Sequence, residues 1–311
     1  ASYLDNNAKE APVYTEPELD ANGQEIRKFN PKTDIQLKEA GRINDAIAAL
    51  EPLVDAGADN PDLLLCLGAL CLDSGRAAPA LDYFERVIGL APWSANAWYN
   101  RANALRHLRR FDEAGVSYRK CLRIEPGHAE ACINLGVLLQ DLKDYPSALA
   151  CYDRALQIRP ESVSALYKRA LVLEHTGELA LAITGYQYLL EKFPGYPYLR
   201  GRAHHALMRL CDWSLYSQSA AQLCDLVSQG LPVSVPFSML AVTDDASLQR
   251  RCAETYTQDK FPPSDTFSLV CLNTNRRIRV GYFSSDLRTH AVGFLTAELF
   301  EGHCRDEFEV F

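Results

Sequence analysis

Several things are scarce or missing in this sequence, and each absence narrows the reading. None of its ten cysteines falls in a C-x-x-C pair, and no His/Cys cluster has zinc spacing. Neither a thioredoxin-type redox motif nor a structural zinc site is therefore expected. No uninterrupted apolar run approaches the ~20 residues that span a bilayer. Ala1 to Thr33 is polar and shows no basic-then-apolar signal pattern, so it reads as a leader. Positive charge is in deficit: 32 Lys and Arg stand against 40 Asp and Glu, a net charge of −8. That excludes the usual basic footprint of a nucleic-acid or membrane-surface binder. There is no G-x-G-x-x-G fingerprint, so a nicotinamide cofactor has no support.

What is present is ordinary in bulk. A hydrophobic fraction of 48% and a charged fraction of 23% suit a soluble globular chain, and 311 residues suggest about two domains. Many cysteines (Cys66, Cys71, Cys121, Cys132, Cys151) sit inside apolar helical runs. They are expected to be buried free thiols, which points to a reducing, cytoplasmic compartment.

The clearest order is internal. Pro92, Pro126, Pro160 and Pro194 recur every 34 residues. On the same spacing lie Ala80, Ala114, Ala148 and Ala182, an aromatic column of Phe84, Tyr118, Tyr152 and Tyr186, and a small-residue column of Gly68, Ala102, Gly136 and Ala170. This pattern is similar to the tetratricopeptide repeat. Each unit is expected to be two antiparallel helices, with the small residue and the alanine at their contact. The aromatic is expected to pack into the next repeat, and the proline to stop the second helix. One unit cannot bury its own apolar face, so the units must stack into a superhelix. Residues 34–60 match in part (Leu37, Gly41, Ala46, Leu50, Leu53) and read as a divergent or capping repeat. Residues 61–196 hold four repeats. After Pro194 the columns fail, and His204 stands where a small residue should be.

Polar positions on the first helix of each unit should line the concave surface. Asn100 and Asn134 are equivalent in successive repeats, and an asparagine there can bond both N–H and C=O of an extended peptide. Cys66 and Lys168 fill the other two places, so such an acceptor-binding ladder would be short. Arg106, Arg109 and Arg110 read as a solvated helix face. His204 and His205 are neighbours and so diverge on a helix, which argues against metal binding.

Residues 197–275 read as a helical connector: helices at Arg200 to Trp213 and Leu215 to Gly230, an extended stretch from Leu231 to Met239, and a helix from Ala246 to Gln258. From Arg276 the pattern changes. A strand (Arg276 to Phe283), a polar loop (Ser284 to His290), a helix (about Ala291 to Glu301) and a second strand (Phe308 to Phe311) read as the opening βαβ unit of a doubly wound α/β domain. In such domains the loop after the first strand faces the ligand. The sequence stops as the second strand starts, so the expectation is a domain that continues past Phe311.

In that order, the repeat array, Leu210-Cys-Asp-Trp213, Val235-Pro-Phe-Ser-Met239, Arg277-Ile-Arg-Val-Gly-Tyr-Phe-Ser-Ser-Asp286 and Phe308-Glu-Val-Phe311 resemble the O-linked N-acetylglucosamine transferase and SPINDLY family over roughly residues 60 to 311. The resemblance implies a fold: repeat superhelix, helical connector, then the start of a two-lobe Rossmann-like (GT-B type) catalytic domain at 276–311. It implies a metal-independent protein O-glycosyltransferase with no cofactor beyond a nucleotide-sugar donor. UDP-N-acetylglucosamine is the first expectation and GDP-fucose the alternative, with protein Ser/Thr as acceptor. It places His290 at the catalytic site, as a base for the acceptor hydroxyl or as a donor contact. Gly293 becomes a donor-side position where a ligand could approach closely. The sequence departs from the family's Gly-Asn-His-Pro here, having Arg288-Thr-His-Ala291. Asp286 reads first as a loop-fixing residue. A non-catalytic tetratricopeptide adaptor is the competing reading. Solenoid ends and convex faces often self-associate, which leaves a homodimer open.

Overall fold

The computed structural model describes residues 43–55, 60–262, 278–280, 302, 304 and 308–310. The leader, the loop from Ser284 to Asp286, His290 and Gly293 lie outside the described residues. Two compact units, residues 1–260 and 261–311, are distinguished.

The first unit is a stack of helical hairpins. α1 (Ile43–Asp55) precedes them and buries Ala46 and Leu50 of the divergent repeat. The first helices of the hairpins are α2 (Pro61–Asp73), α4 (Ala95–His107), α6 (Ala129–Asp141) and α8 (Val163–His175). Their partners are α3 (Ala77–Leu90), α5 (Phe111–Ile124), α7 (Tyr145–Ile158) and α9 (Leu179–Lys192).

Local chemistry sets each boundary. Asn60, Ser94, His128 and Ser162, one period apart, cap the first helices by accepting a hydrogen bond from a first-turn backbone N–H. The second helices end two residues before the column prolines. The residue between takes a non-helical backbone, as the position before proline prefers. The turn inside each hairpin has a left-handed residue, again one period apart: Gly75 (φ 81°), Arg109 (60°), Lys143 (63°) and Gly177 (90°).

The alanine and aromatic columns are wholly buried. Burying each large side chain contributes roughly 1.5–3 kcal/mol. In the first and third repeats the aromatic also lies directly on the small residue of its own repeat. A Cβ on Gly68 would lie 2.6 Å from Phe84 Cε1, and one on Gly136 2.7 Å from Tyr152 Cε1. The small residue matters because it lets the ring lie against the backbone of the first helix. The tyrosines also need a hydroxyl partner, and each finds it on that same helix: Asn103 for Tyr118, Gln140 for Tyr152, Glu174 for Tyr186. Phe84 has no hydroxyl to satisfy, and Leu72 stands where the later repeats have Gln140 and Glu174.

Beyond Pro194 the side-chain columns fail, yet the backbone turn recurs once more. α10 (Leu199–Arg209) and α11 (Tyr216–Ser228) follow. Cys211 is left-handed at φ 59°, and Asp212 N–H bonds Leu207 O at 3.0 Å, as Arg110 N–H bonds Leu105 O at 2.9 Å three periods earlier in the stack. The columns are lost for a visible reason. Residues 232–234 run across α10, where Tyr198 N–H donates to Pro232 O and Gly201 N–H to Val233 O. A Cβ on Gly201 would sit 2.8 Å from Ser234 Cα. Gly201 therefore replaces the large residues (Tyr99, Ile133, Tyr167) of its column. The stretch expected to be extended from Leu231 to Met239 instead closes with a helical turn, α12 (Pro236–Met239). Proline favours that first position because its missing N–H has no intrahelical role there. α13 (Ala246–Lys260) shares a small core of Val227, Met239 and Cys252 with it.

In the second unit, β1 (Ile278–Val280) and β2 (Phe308–Val310) pair in parallel, with Ile278 opposite Phe308 and Val280 opposite Val310. A parallel pair needs a crossover connection between its strands.

Candidate functional site

The first helices share an inner face, and two polar joints stand on it. At the joint of the second and third repeats, Tyr118 OH donates to Asn103 Oδ1 (2.5 Å), and Asn134 Nδ2 donates to the same oxygen (3.1 Å) and to Tyr99 OH (3.0 Å). The Tyr99 ring stacks on His128, with centroids 4.7 Å apart. Burial pushes the Tyr99 phenol above its ordinary value, while the Asn103 amide beside it works the other way. The two asparagines picked from the sequence therefore differ. Asn134 spends both amide hydrogens inside the fold and keeps its carbonyl oxygen. Asn100, half-buried, makes no side-chain hydrogen bond among the described residues and keeps its whole amide.

The second joint lies between the fourth repeat and α10, and it is ionic. Glu174, 8% exposed, accepts from Tyr186 OH (2.6 Å), Arg202 Nη1 (3.1 Å) and Arg209 Nη1 (3.1 Å). Burial first, then the Glu174 carboxylate, drives the Tyr186 phenol well up. A cavity of about 500 Å³ opens beside this cluster, lined by Gln140, Tyr145, Leu171, Glu174, His175, Arg202 and Arg209. Gln140 Oε1 accepts from Tyr152 OH, which leaves its amide hydrogens for the cavity. Tyr145 and His175 stack at 4.9 Å.

Further along the same face stand Arg106 and Lys168, both half-buried. Burial, and next the Arg106 charge, hold the Lys168 ammonium below its ordinary value, while Asp141 acts the other way. The basic run of the sequence thus splits. Arg109 sits in the exposed turn and Arg110 pairs with Glu113 at 2.7 Å, whereas Arg106 belongs to the inner face. His204 is buried, with Nδ1 2.8 Å from Ser219 Oγ and Nε2 without a partner among the described residues. Burial lowers its affinity for a proton, and the neighbouring His205 lowers it further.

Sequence reasoning missed Asn103, Glu174, Arg202 and Arg209. One signal was available: Arg106, Gln140 and Glu174 fall one period apart, each in the last turn of a first helix, which marks a polar inner column. Thiols are buried as expected at Cys71, Cys121 and Cys132, whereas Cys66 and Cys151 are half-buried. Burial raises Cys121 to about 12 and Cys151 to about 11.

Comparison with known proteins agrees with this geometry. The tetratricopeptide-repeat family matches residues 37–95 and 133–197, and a second form of the repeat matches 93–161. Together these cover more than half of the chain. The chain is a tetratricopeptide-repeat protein. A tetratricopeptide-repeat protein of Parabacteroides merdae has a similar structure, with a TM-score of 0.57 at 17% identity over 76% of this chain and 92% of that one. MamA of Desulfovibrio magneticus gives 0.51 at 20% identity over 56% and 97%. At such identities the likeness is one of fold. An uncharacterized protein of Methanocaldococcus jannaschii is 40% identical over 53 residues, 17% of this chain and 62% of its own length. As a tetratricopeptide-repeat protein the chain belongs among scaffolds that mediate protein–protein contacts. Among the described residues no helix is long and apolar enough to cross a membrane.

Proposed function

We propose that the described part of this protein binds an extended peptide or protein segment along the inner face of its first helices. The observation that carries this reading is the cavity of about 500 Å³ lined from α6, α7, α8 and α10, where Gln140, Arg202 and Arg209 keep donors for a ligand. Asn100 supplies a donor and an acceptor for backbone, Asn134 an acceptor, and Leu171 an apolar floor. The test is to select peptides from a random library on the native chain and measure their affinity for Leu171→Arg and Asn100→Ala. Selected peptides that bind both variants as tightly as the native chain would place recognition elsewhere.

A second reading gives this scaffold an enzymatic purpose: delivery of protein acceptors to a metal-independent O-glycosyltransferase that uses UDP-N-acetylglucosamine. Its support is the set of residue strings from Leu210 to Phe311 together with the parallel pairing of 278–280 with 308–310, the arrangement a βαβ unit requires. GDP-fucose as donor remains within this reading. In it His290 acts at the reacting centre, because a neutral imidazole can take the acceptor proton or donate to a phosphate. The measurement is donor hydrolysis and protein glycosylation by protein extended beyond Phe311, native against His290→Ala. Full activity in the variant removes His290 from the site.

A further inference from the structure

The ionic joint at Glu174 has more donors than its own carboxylate can use. A carboxylate offers about four lone-pair sites, and Glu174 already accepts three bonds. Each arginine carries five N–H donors in a planar fork, and Arg202 and Arg209 each give one nitrogen to Glu174. Two positive charges meet one negative, so the cluster keeps an excess of one. The two side chains are 36% and 43% exposed beside the cavity, while the buried Glu174 holds them from below. Fixed in this way, they lose little freedom on binding a second oxyanion, and a planar fork suits a carboxylate or phosphate.

The wider face has the same sign. Arg106 and Lys168 add two positive charges, and Asp141 removes one. With Arg202, Arg209 and Glu174 this makes four positive and two negative groups, a local surplus of two on a chain whose net charge is −8. A surface that opposes the charge of the whole molecule points to the sign of what it receives.

We infer that Arg202 and Arg209, held by Glu174, form an oxyanion-binding subsite for an acidic peptide that lies along the inner face toward Lys168 and Arg106. This rests on the peptide-binding reading above and adds the chemical class of the peptide. The oxyanion is a side-chain carboxylate or the peptide's own C-terminal carboxylate. General electrostatics cannot mimic the effect, since a net-negative protein repels acidic peptides and attracts basic ones.

The test uses the full chain and fluorescence anisotropy. One labelled peptide carries a run of glutamates between blocked ends, a second replaces them with glutamines, and a third has a free C-terminal carboxylate on the glutamine sequence. The glutamate or the free-acid peptide should bind about tenfold more tightly than the blocked glutamine peptide, the worth of one charge-assisted hydrogen bond. Which of the two does so identifies the source of the carboxylate. Arg209→Gln should remove that preference, so that the glutamate and free-acid peptides bind no more tightly than the blocked glutamine peptide. Arg159→Gln, distant in sequence and engaged with Glu130, should change neither. Should Arg209→Gln unfold, Arg209→Lys and the salt dependence of the native chain supply the same comparison. Equal binding of charged and neutral peptides overturns the subsite and leaves peptide binding intact. Binding of no peptide at all overturns both. A preference that survives Arg209→Gln also overturns the subsite.

Discussion

The joint between the second and third repeats and the joint after the fourth follow one plan in different chemistry. In the first, Tyr118 and Asn134 converge on the oxygen of Asn103. In the second, Tyr186 and Arg202, each two periods further on, converge on an oxygen of Glu174. A column tyrosine and a residue from the next first helix thus share an acceptor in both cases. In the neutral joint Tyr118 OH and Asn134 Nδ2 both spend their hydrogens inside the fold, and no charge is left over. In the ionic joint the donors exceed the acceptor, and the surplus faces a cavity. The repeat geometry fixes where polar groups meet, and the side-chain charge decides whether anything is left for a ligand.

The sharpest way to break this comparison is to remove the two acceptors. Glu174→Leu strands two guanidiniums and a buried phenol. It should cost about 3 kcal/mol, the lower end for a broken buried pair because both arginines are partly exposed. Asn103→Leu leaves neutral groups unsatisfied and should cost about 1.5 kcal/mol. Urea denaturation reads both. High salt should shrink the first loss and spare the second, since salt screens only charge. Equal losses with equal salt response would show that the two joints do not differ in kind.

Next in size is the place where the pattern stops. Gly201→Ala pushes a methyl toward the backbone of Ser234 and should cost about 2 kcal/mol, as overpacking commonly does. Gly136→Ala meets only the edge of the Tyr152 ring, and Ala102 and Ala170 already occupy that column. It should cost under about 1 kcal/mol. Thermal melting of the pair decides the matter. A mild Gly201→Ala would mean that the chain crossing at 232–234 is not what ended the side-chain columns.

These residues also show how far the sequence could be read. The four hairpins were legible because the small, alanine, aromatic and proline columns each report a contact made within one period. α10 and α11 were legible as helices from their spacing. Their continuation of the turn at Cys211 was not, because Gly201 answers to a segment about thirty residues away in sequence, and His204 to Ser219 and Tyr216 of α11, rather than to a neighbouring repeat. Asn100 and Asn134 looked alike because spacing shows equivalence and not partners; only the fold shows that Asn134 is engaged by Tyr99 and Asn103. Glu174 could have been suspected from its column, whereas its pairing with Arg209 needed the angle between α8 and α10. The loop bearing His290 falls outside the described residues, so its reading stands on the sequence.

The smallest expected effect is with pH, and it separates the neutral joint from the region beyond the period. His128 caps α6 by accepting the Ala131 N–H on Nδ1 at 3.1 Å, so a proton on that nitrogen would set donor against donor. Burial holds its proton affinity down, and burial likewise holds down His204, whose Nε2 has no partner among the described residues to receive a proton's charge. Both folded values lie below the ordinary 6.5, so the unfolded chain binds the protons more readily. Their contribution to stability is present above about 6.5 and is lost as pH falls through that value toward the folded ones. His128→Ser tests the share of the neutral joint. Ser94 and Ser162 fill the same column and cap their helices through Oγ, so the variant should keep the cap and remain close to native stability at pH 7. Its stability, measured by urea denaturation, should fall less steeply than the native chain's below pH 6.5, with the remaining slope carried by His204. An unchanged slope would mean that the His128 cap survives protonation and that the neutral joint is indifferent to acid.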